Sequence, residues 1–174
     1  MTGTTVPLRP VPEVGRAALE SFGAPPSTVE SKLYQALGND GELLEGWVNL
    51  AWRLRSGNRR TPTRMRELMI VLASLRQDCA YEVAGHRRRA LAAGVTEDEL
   101  AQLDAWRGAT VFSADERAAL ALVEETVTGR VSDATLAEVT ARFDEPARIE
   151  LILTAAFYCM SPRVIDALRL NALA

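Results

Sequence analysis

Apolar residues recur along this chain at intervals of three and four, and no stretch alternates with period two for long, so the pattern predicts helices nearly throughout. The opening run Val6-Pro7-Leu8-Arg9-Pro10-Val11-Pro12 is expected to be extended, because each proline biases the residue before it away from helix. Helices are predicted over 13–22 and, after Pro25-Pro26-Ser27, over 28–37. The Gly38-Asn39-Asp40-Gly41 break separates these from a helix over 42–54 that carries Leu43, Leu44, Trp47, Leu50 and Leu54. Thr61-Pro62 begins another over 62–77, with proline at the first helical position, where its missing N–H costs least. Apolar side chains at 68–73 and 75 cover most of that helix, which predicts a central place for it. The next, 79–92, ends at Gly94, a residue suited to a left-handed cap. Thr96 with Glu99 and Ser113 with Glu116 spell capping boxes, so helices should begin near 97 and 114, the latter ending at Gly129. Further helices are expected over 133–143, 146–160 and 163–171, with Pro162 dividing the last two. The expected fold class is all-α: an N-terminal extension with short helices over 1–40, then one compact helical domain over 41–174.

The 62–77 and 79–92 helices concentrate the chemistry. His86 is the only histidine of the chain. A helix turns about 100° per residue, so Cys79, Glu82 and His86 share one narrow stripe. A thiol, a carboxylate and an imidazole thus face one way, with a second carboxylate, Glu67, in the apolar helix before them. Such a set can move protons at neutral pH. The same spacing also suits a plain Glu–His ion pair worth about 0.3 kcal/mol, and a cysteine on an apolar face serves as a small hydrophobe.

Composition narrows the classes. With 174 residues, 48% hydrophobic and 25% charged, the chain can build one core. A net charge of −3 argues against nucleic acid as a partner, and Arg87-Arg88-Arg89 reads as a solvated helix flank. No apolar stretch reaches the roughly 20 residues needed to span a bilayer, and the first residues lack a basic-then-apolar leader. A cytoplasmic location without membrane partner is therefore expected, with both cysteines reduced. Cys159 lies in an almost unbroken apolar run and reads as core. Metal-finger spacing and phosphate-loop glycines are absent from the sequence, and no metal or other cofactor is expected.

The stretch Arg64-Met65-Arg66-Glu67, continuing through Cys79-Ala80-Tyr81-Glu82-Val83-Ala84-Gly85-His86 to Gly94, Thr96 and Glu99, resembles the carboxymuconolactone decarboxylase family. Its superfamily also holds the alkyl hydroperoxidase D-like proteins. The likeness is clearest over residues 41–130 and continues more weakly through Phe157-Tyr158-Cys159-Met160. It implies an alkyl hydroperoxidase D-like helical bundle in which the 62–77 and 79–92 helices form a hairpin, bringing Glu67 towards the Cys79–Glu82–His86 stripe. It also implies a homo-oligomer, a trimer or a hexamer.

In the peroxidase branch the corresponding string is Glu-x11-Cys-x2-Cys-x3-His, and the second thiol attacks peroxide while the first resolves it. Here the first position is Cys79 and the second is Glu82. A sulfenic acid at Cys79 would lack a neighbouring thiol, and a carboxylate beside it opposes thiolate formation. The decarboxylase branch is similar in carrying an acidic residue and a histidine at this spacing without the dithiol. The leading expectation is a cofactor-free acid–base enzyme, a lyase or isomerase acting on a small carbonyl, lactone or carboxylate compound. In it Glu82 holds the imidazole in one tautomer, His86 moves the proton, Glu67 is a second acid and Cys79 a donor or pocket wall. Tyr81, Arg64 and Trp47 are candidate substrate-binding residues; each also suits a structural role, Tyr81 and Trp47 in packing and Arg64, like Arg66, in an ion pair. Two alternatives stand beside this: a thiol-dependent peroxidase or reductase using Cys79, and a ligand-binding helical oligomer without catalysis.

Overall fold

A computed structural model of the chain describes residues 3–57 and 59–173. Among the described residues every regular element is a helix: α1 (Glu13–Ser21), α2 (Lys32–Leu37), α3 (Gly41–Arg55), α4 (Thr63–Leu75), α5 (Ala80–Ala92), α6 (Glu97–Gln102), α7 (Ala114–Thr128), α8 (Asp133–Arg142) and α9 (Glu145–Ala167). Single 3₁₀ turns occupy Pro26–Glu30, Leu103–Ala105 and Asn171–Leu173. The fold class is all-α, as the periodicity predicts. None of these helices is long and apolar enough to cross a membrane.

The chain forms two compact units, Met1–Ser56 with Val164–Ala174, and Gly57–Arg163. In the first, α1 packs against α3. Gly15 permits the close approach, since a Cβ there would come within 2.5 Å of Leu44 Cδ2. Trp52 Nε1 donates to Tyr34 Oη at 3.1 Å, and Lys32 Nζ donates to the Leu173 carbonyl at 2.7 Å. The break at 38–41 falls inside this unit.

The second unit is built around α4, which packs against both α5 and α7. Its residues 65–74 are all buried, the outcome expected of a helix apolar on most of its surface. The turn into α5 is tight because Asp78 takes a left-handed conformation (φ 51°), which Asp tolerates better than most residues. That reversal lets Cys79 N–H donate to the Ser74 carbonyl at 2.9 Å. Gly94, at φ 87°, closes α5, and both capping boxes form, Thr96 with Glu99 and Ser113 with Glu116.

Arg64 joins these helix starts. Its guanidinium pairs with Glu99 at 2.5 Å and Glu116 at 2.8 Å and donates to the Gly94 carbonyl at 2.7 Å. The Arg64 guanidinium holds the Glu99 carboxyl down at about 2. Stabilisation from that pair is thus present above the ordinary carboxylate value of 4.5 and is lost as pH falls from there towards 2. Arg64→Ala is expected to cost about 2 kcal/mol by stranding two partly buried carboxylates, and to flatten stability between pH 2 and 4.5, as read by thermal unfolding across that range.

Pro162 does not divide the last helical stretch: α9 runs on through it to Ala167. A proline there leaves the carbonyl of residue 158 without its helical donor. Gln77 Nε2 supplies one, donating to the Tyr158 carbonyl at 2.8 Å. The side chain of a distant residue thus offsets the cost that made a break the simpler expectation.

Candidate active site

Glu67 projects from the buried face of α4, while Glu82 and His86 lie one turn apart on α5. Because α4 and α5 form one hairpin, the two carboxylates flank the imidazole. His86 Nδ1 lies 2.6 Å from Glu67 Oε2, and Nε2 lies 3.4 Å from Glu82 Oε2. α9 covers the group. Ser161 Oγ donates to Glu82 Oε1, and the Tyr158 ring meets the imidazole edge-on with centroids 5.1 Å apart. Every one of these side chains is buried, with His86 2%, Glu67 3% and Glu82 8% exposed, so Glu82 is the outermost of the three. All of them belong to the second unit.

The geometry assigns different work to the two carboxylates. The short contact at Nδ1 makes Glu67 the group that fixes ring orientation and tautomer. Glu82, expected from spacing to do this, stands at the looser nitrogen and is itself held by Ser161. Nε2 is therefore the less tightly held of the two ring nitrogens. Burial pushes the His86 pKa down, but the negative charges and hydrogen bonds of Glu67 and Glu82 outweigh it and raise it above the ordinary 6.5. The raised pKa favours the imidazolium form of His86.

The other candidate residues are placed as follows. Cys79 is buried at the N-terminal cap of α5. Cys159 is half-buried, its Sγ 2.8 Å from Arg163 Nη1 and 3.8 Å from the Thr126 carbonyl. Arg64 is turned into its clamp with Glu99 and Glu116. Arg66 is buried, donating to the carbonyl of Thr61 and to the Thr63 hydroxyl. Tyr81 is partly exposed on α5, and Trp47 is partly exposed on α3 of the first unit. Ser161 and Tyr158 are members that spacing around His86 did not reveal. A signal for them exists: Glu150, Thr154, Tyr158 and Ser161 put polar groups at helical intervals into an otherwise apolar run. Arg89, one turn beyond His86, also reaches the ring, with Nη1 3.4 Å from Nε2.

Residues 41–125 match the carboxymuconolactone decarboxylase family. No curated protein matches the chain. Among solved structures, the fold is similar to that of the debrominase Bmp8 in complex with 2,3,4-tribromopyrrole (TM-score 0.72, 16% identity, covering 95% of this chain and 91% of that one). It is also similar to the alkylhydroperoxidase AhpD core of an uncharacterized peroxidase-related protein from Ralstonia eutropha JMP134 (0.70, 16%, 93% and 90%). A protein of unknown function from Agrobacterium tumefaciens is a third (0.69, 19%, 75% and 90%).

Proposed function

We propose that this protein, whose residues 41–125 match the carboxymuconolactone decarboxylase family and whose fold is similar to that of alkyl hydroperoxidase D-like proteins, is a cofactor-free acid–base enzyme, a lyase or isomerase acting on a small carbonyl, lactone or carboxylate compound. The observation that carries the reading is the 2.6 Å contact of Glu67 with His86 Nδ1, which leaves Nε2 beside Glu82. The raised pKa of His86 favours the imidazolium and so lets the cluster serve as an acid. In a decarboxylation the C–C electron pair passes into a neighbouring carbonyl as CO₂ departs, giving an enolate. The Nε2 proton then goes to the enolate carbon, directly or through Glu82, and the neutral imidazole keeps its Nδ1–H on Glu67 until water returns the proton. Running the reaction in D₂O tests this: one deuterium should appear at the carbon that lost CO₂ or was isomerised, and a product free of deuterium would count against proton delivery from the cluster.

A second reading is supported by Cys79 at the N-terminus of α5 and by the peroxidase and debrominase names of similar folds. A thiol so placed acts as a nucleophile in many enzymes. It ranks second because Glu82 stands where the peroxidase branch has its attacking thiol.

The proposal includes self-association. Ile149, Ile152, Leu153 and Met160 form an exposed apolar stripe on α9, between 42% and 58% exposed. A trimer or hexamer is expected by light scattering at micromolar concentration, and a monomer would refute it.

A further inference from the structure

α7 and α8 pack against each other, and together with the chain at Trp106 and Arg107 they line a cavity of about 340 Å³. That volume is near the lower end of small-molecule sites, which span about 300–1,000 Å³. Ala114, Ala118 and Ala121, on one face of α7, and Ala134 at the start of α8 give the cavity an apolar floor. None of the lining residues lies on α4, α5 or α9, the helices that carry the His86 cluster.

Charge is spread unevenly around that floor. Arg107, Arg117 and Arg142 line it, against a single carboxylate, Glu138. Arg107 pairs with Glu124 at 2.9 Å, and Arg142 pairs with Glu138 at 3.1 Å and Asp115 at 3.2 Å, so carboxylates of the protein meet both of these charges. Arg117 differs. Its Nη1 donates to the carbonyls of Trp106 and Ala109 at 3.0 and 2.9 Å, and its Nη2 donates to that of Arg107 at 2.8 Å. These bonds fix the guanidinium, which also lies over the Trp106 ring, but neutral carbonyls leave its charge unpaired. A guanidinium has five N–H groups. Three are committed here, and among the described residues the Nε–H and the second Nη2–H have no protein acceptor. Holding the 106–109 turn explains the three carbonyl bonds. It does not explain a full positive charge with two spare donors, held rigidly beside an apolar cavity. Two donors of one planar guanidinium match the two oxygens of a carboxylate.

We propose that the α7–α8 cavity is a second ligand site, separate from the acid–base centre, and that it takes a small organic monoanion with an apolar body. The anionic head binds Arg117 and the body rests on the alanine floor. One uncompensated cation calls for one negative charge, which favours a carboxylate or sulfonate over a phosphate dianion. A cavity of this size takes a short hydrocarbon chain or a single ring. The inference does not depend on the reaction proposed for His86.

The indole N–H of Trp106, one of three tryptophans in the chain, reports on the cavity. Protein labelled with ¹⁵N is titrated with hexanoate and, as its neutral counterpart, hexanamide, at constant ionic strength. Hexanoate is expected to shift the Trp106 indole signal and the amides of 114–121 and 134–142 saturably, with hexanamide binding at least tenfold more weakly. Arg117→Gln should weaken hexanoate binding at least tenfold. Ala121→Leu fills the cavity while leaving the arginine and its carbonyl bonds in place, and it should abolish the shifts; it keeps the test valid should the glutamine variant lose the 106–109 turn. His86→Gln should leave the shifts unchanged. Equal binding of the amide, unaltered hexanoate affinity in Ala121→Leu or in folded Arg117→Gln, loss of the shifts in His86→Gln, or no saturable shift at Trp106 in the wild type would overturn the site.

Discussion

His86→Gln is expected to lower kcat/KM by about a hundredfold to ten-thousandfold, the usual contribution of a positioned acid or base, while Cys79→Ser leaves it within about twofold. Glutamine is the informative replacement because it keeps a hydrogen-bonding group between Glu67 and Glu82. His86→Ala would remove activity too, but it would also leave two buried carboxylates facing each other, at a cost of about 3 kcal/mol. A loss in that variant could then be put down to unfolding. The thiol reading makes the opposite forecast: Cys79→Ser abolishes turnover, and mild peroxide rapidly produces a Cys79–Cys159 disulfide. Mass spectrometry of the oxidised protein beside the kinetics of the two variants separates the readings.

The second large effect is expected at Glu67. Glu67→Gln keeps the size of the side chain and removes the charge that does most to raise His86. At pH 6 it should cost about 2 kcal/mol by urea unfolding, the value of a hydrogen bond to a charged partner in a buried setting. The pH dependence should change as well. A histidine whose folded pKa is raised stabilises fully below its unfolded value of 6.5, and that stabilisation is lost as pH rises through the folded value. Wild type should therefore lose stability above pH 6.5, and Glu67→Gln should lose less over the same range. Activity should follow, with the alkaline limb of the wild-type profile lying above pH 6.5 and moving down in the variant.

Much of this arrangement is legible in the sequence because local rules and tertiary packing agree. Both capping boxes form where Thr96-x-x-Glu99 and Ser113-x-x-Glu116 stand, and α4, apolar at 68–73 and 75, lies at the centre of its unit. The stripe of Cys79, Glu82 and His86 needed only helical geometry, and Glu67 is indeed brought against it. What could not be read were groups supplied from far along the chain. Nothing near Pro162 shows that Gln77 will satisfy the Tyr158 carbonyl and let α9 continue. Nothing near Glu82 shows that Ser161, 79 residues away, will hold it and leave ring orientation to Glu67. Arg89 was hidden differently. In a run of three arginines it looks like its solvated neighbours, and only the position of the ring in three dimensions distinguishes it.

The central claim is that Glu67 and Glu82 raise the pKa of His86 above its ordinary 6.5, with Nε2 as the working nitrogen. An NMR pH titration of the single imidazole measures this without any substrate. The account requires a midpoint above 6.5 with Nδ1–H strongly hydrogen-bonded, and a lower midpoint in Glu67→Gln. A midpoint at or below 6.5, unmoved by Glu67→Gln, would contradict it.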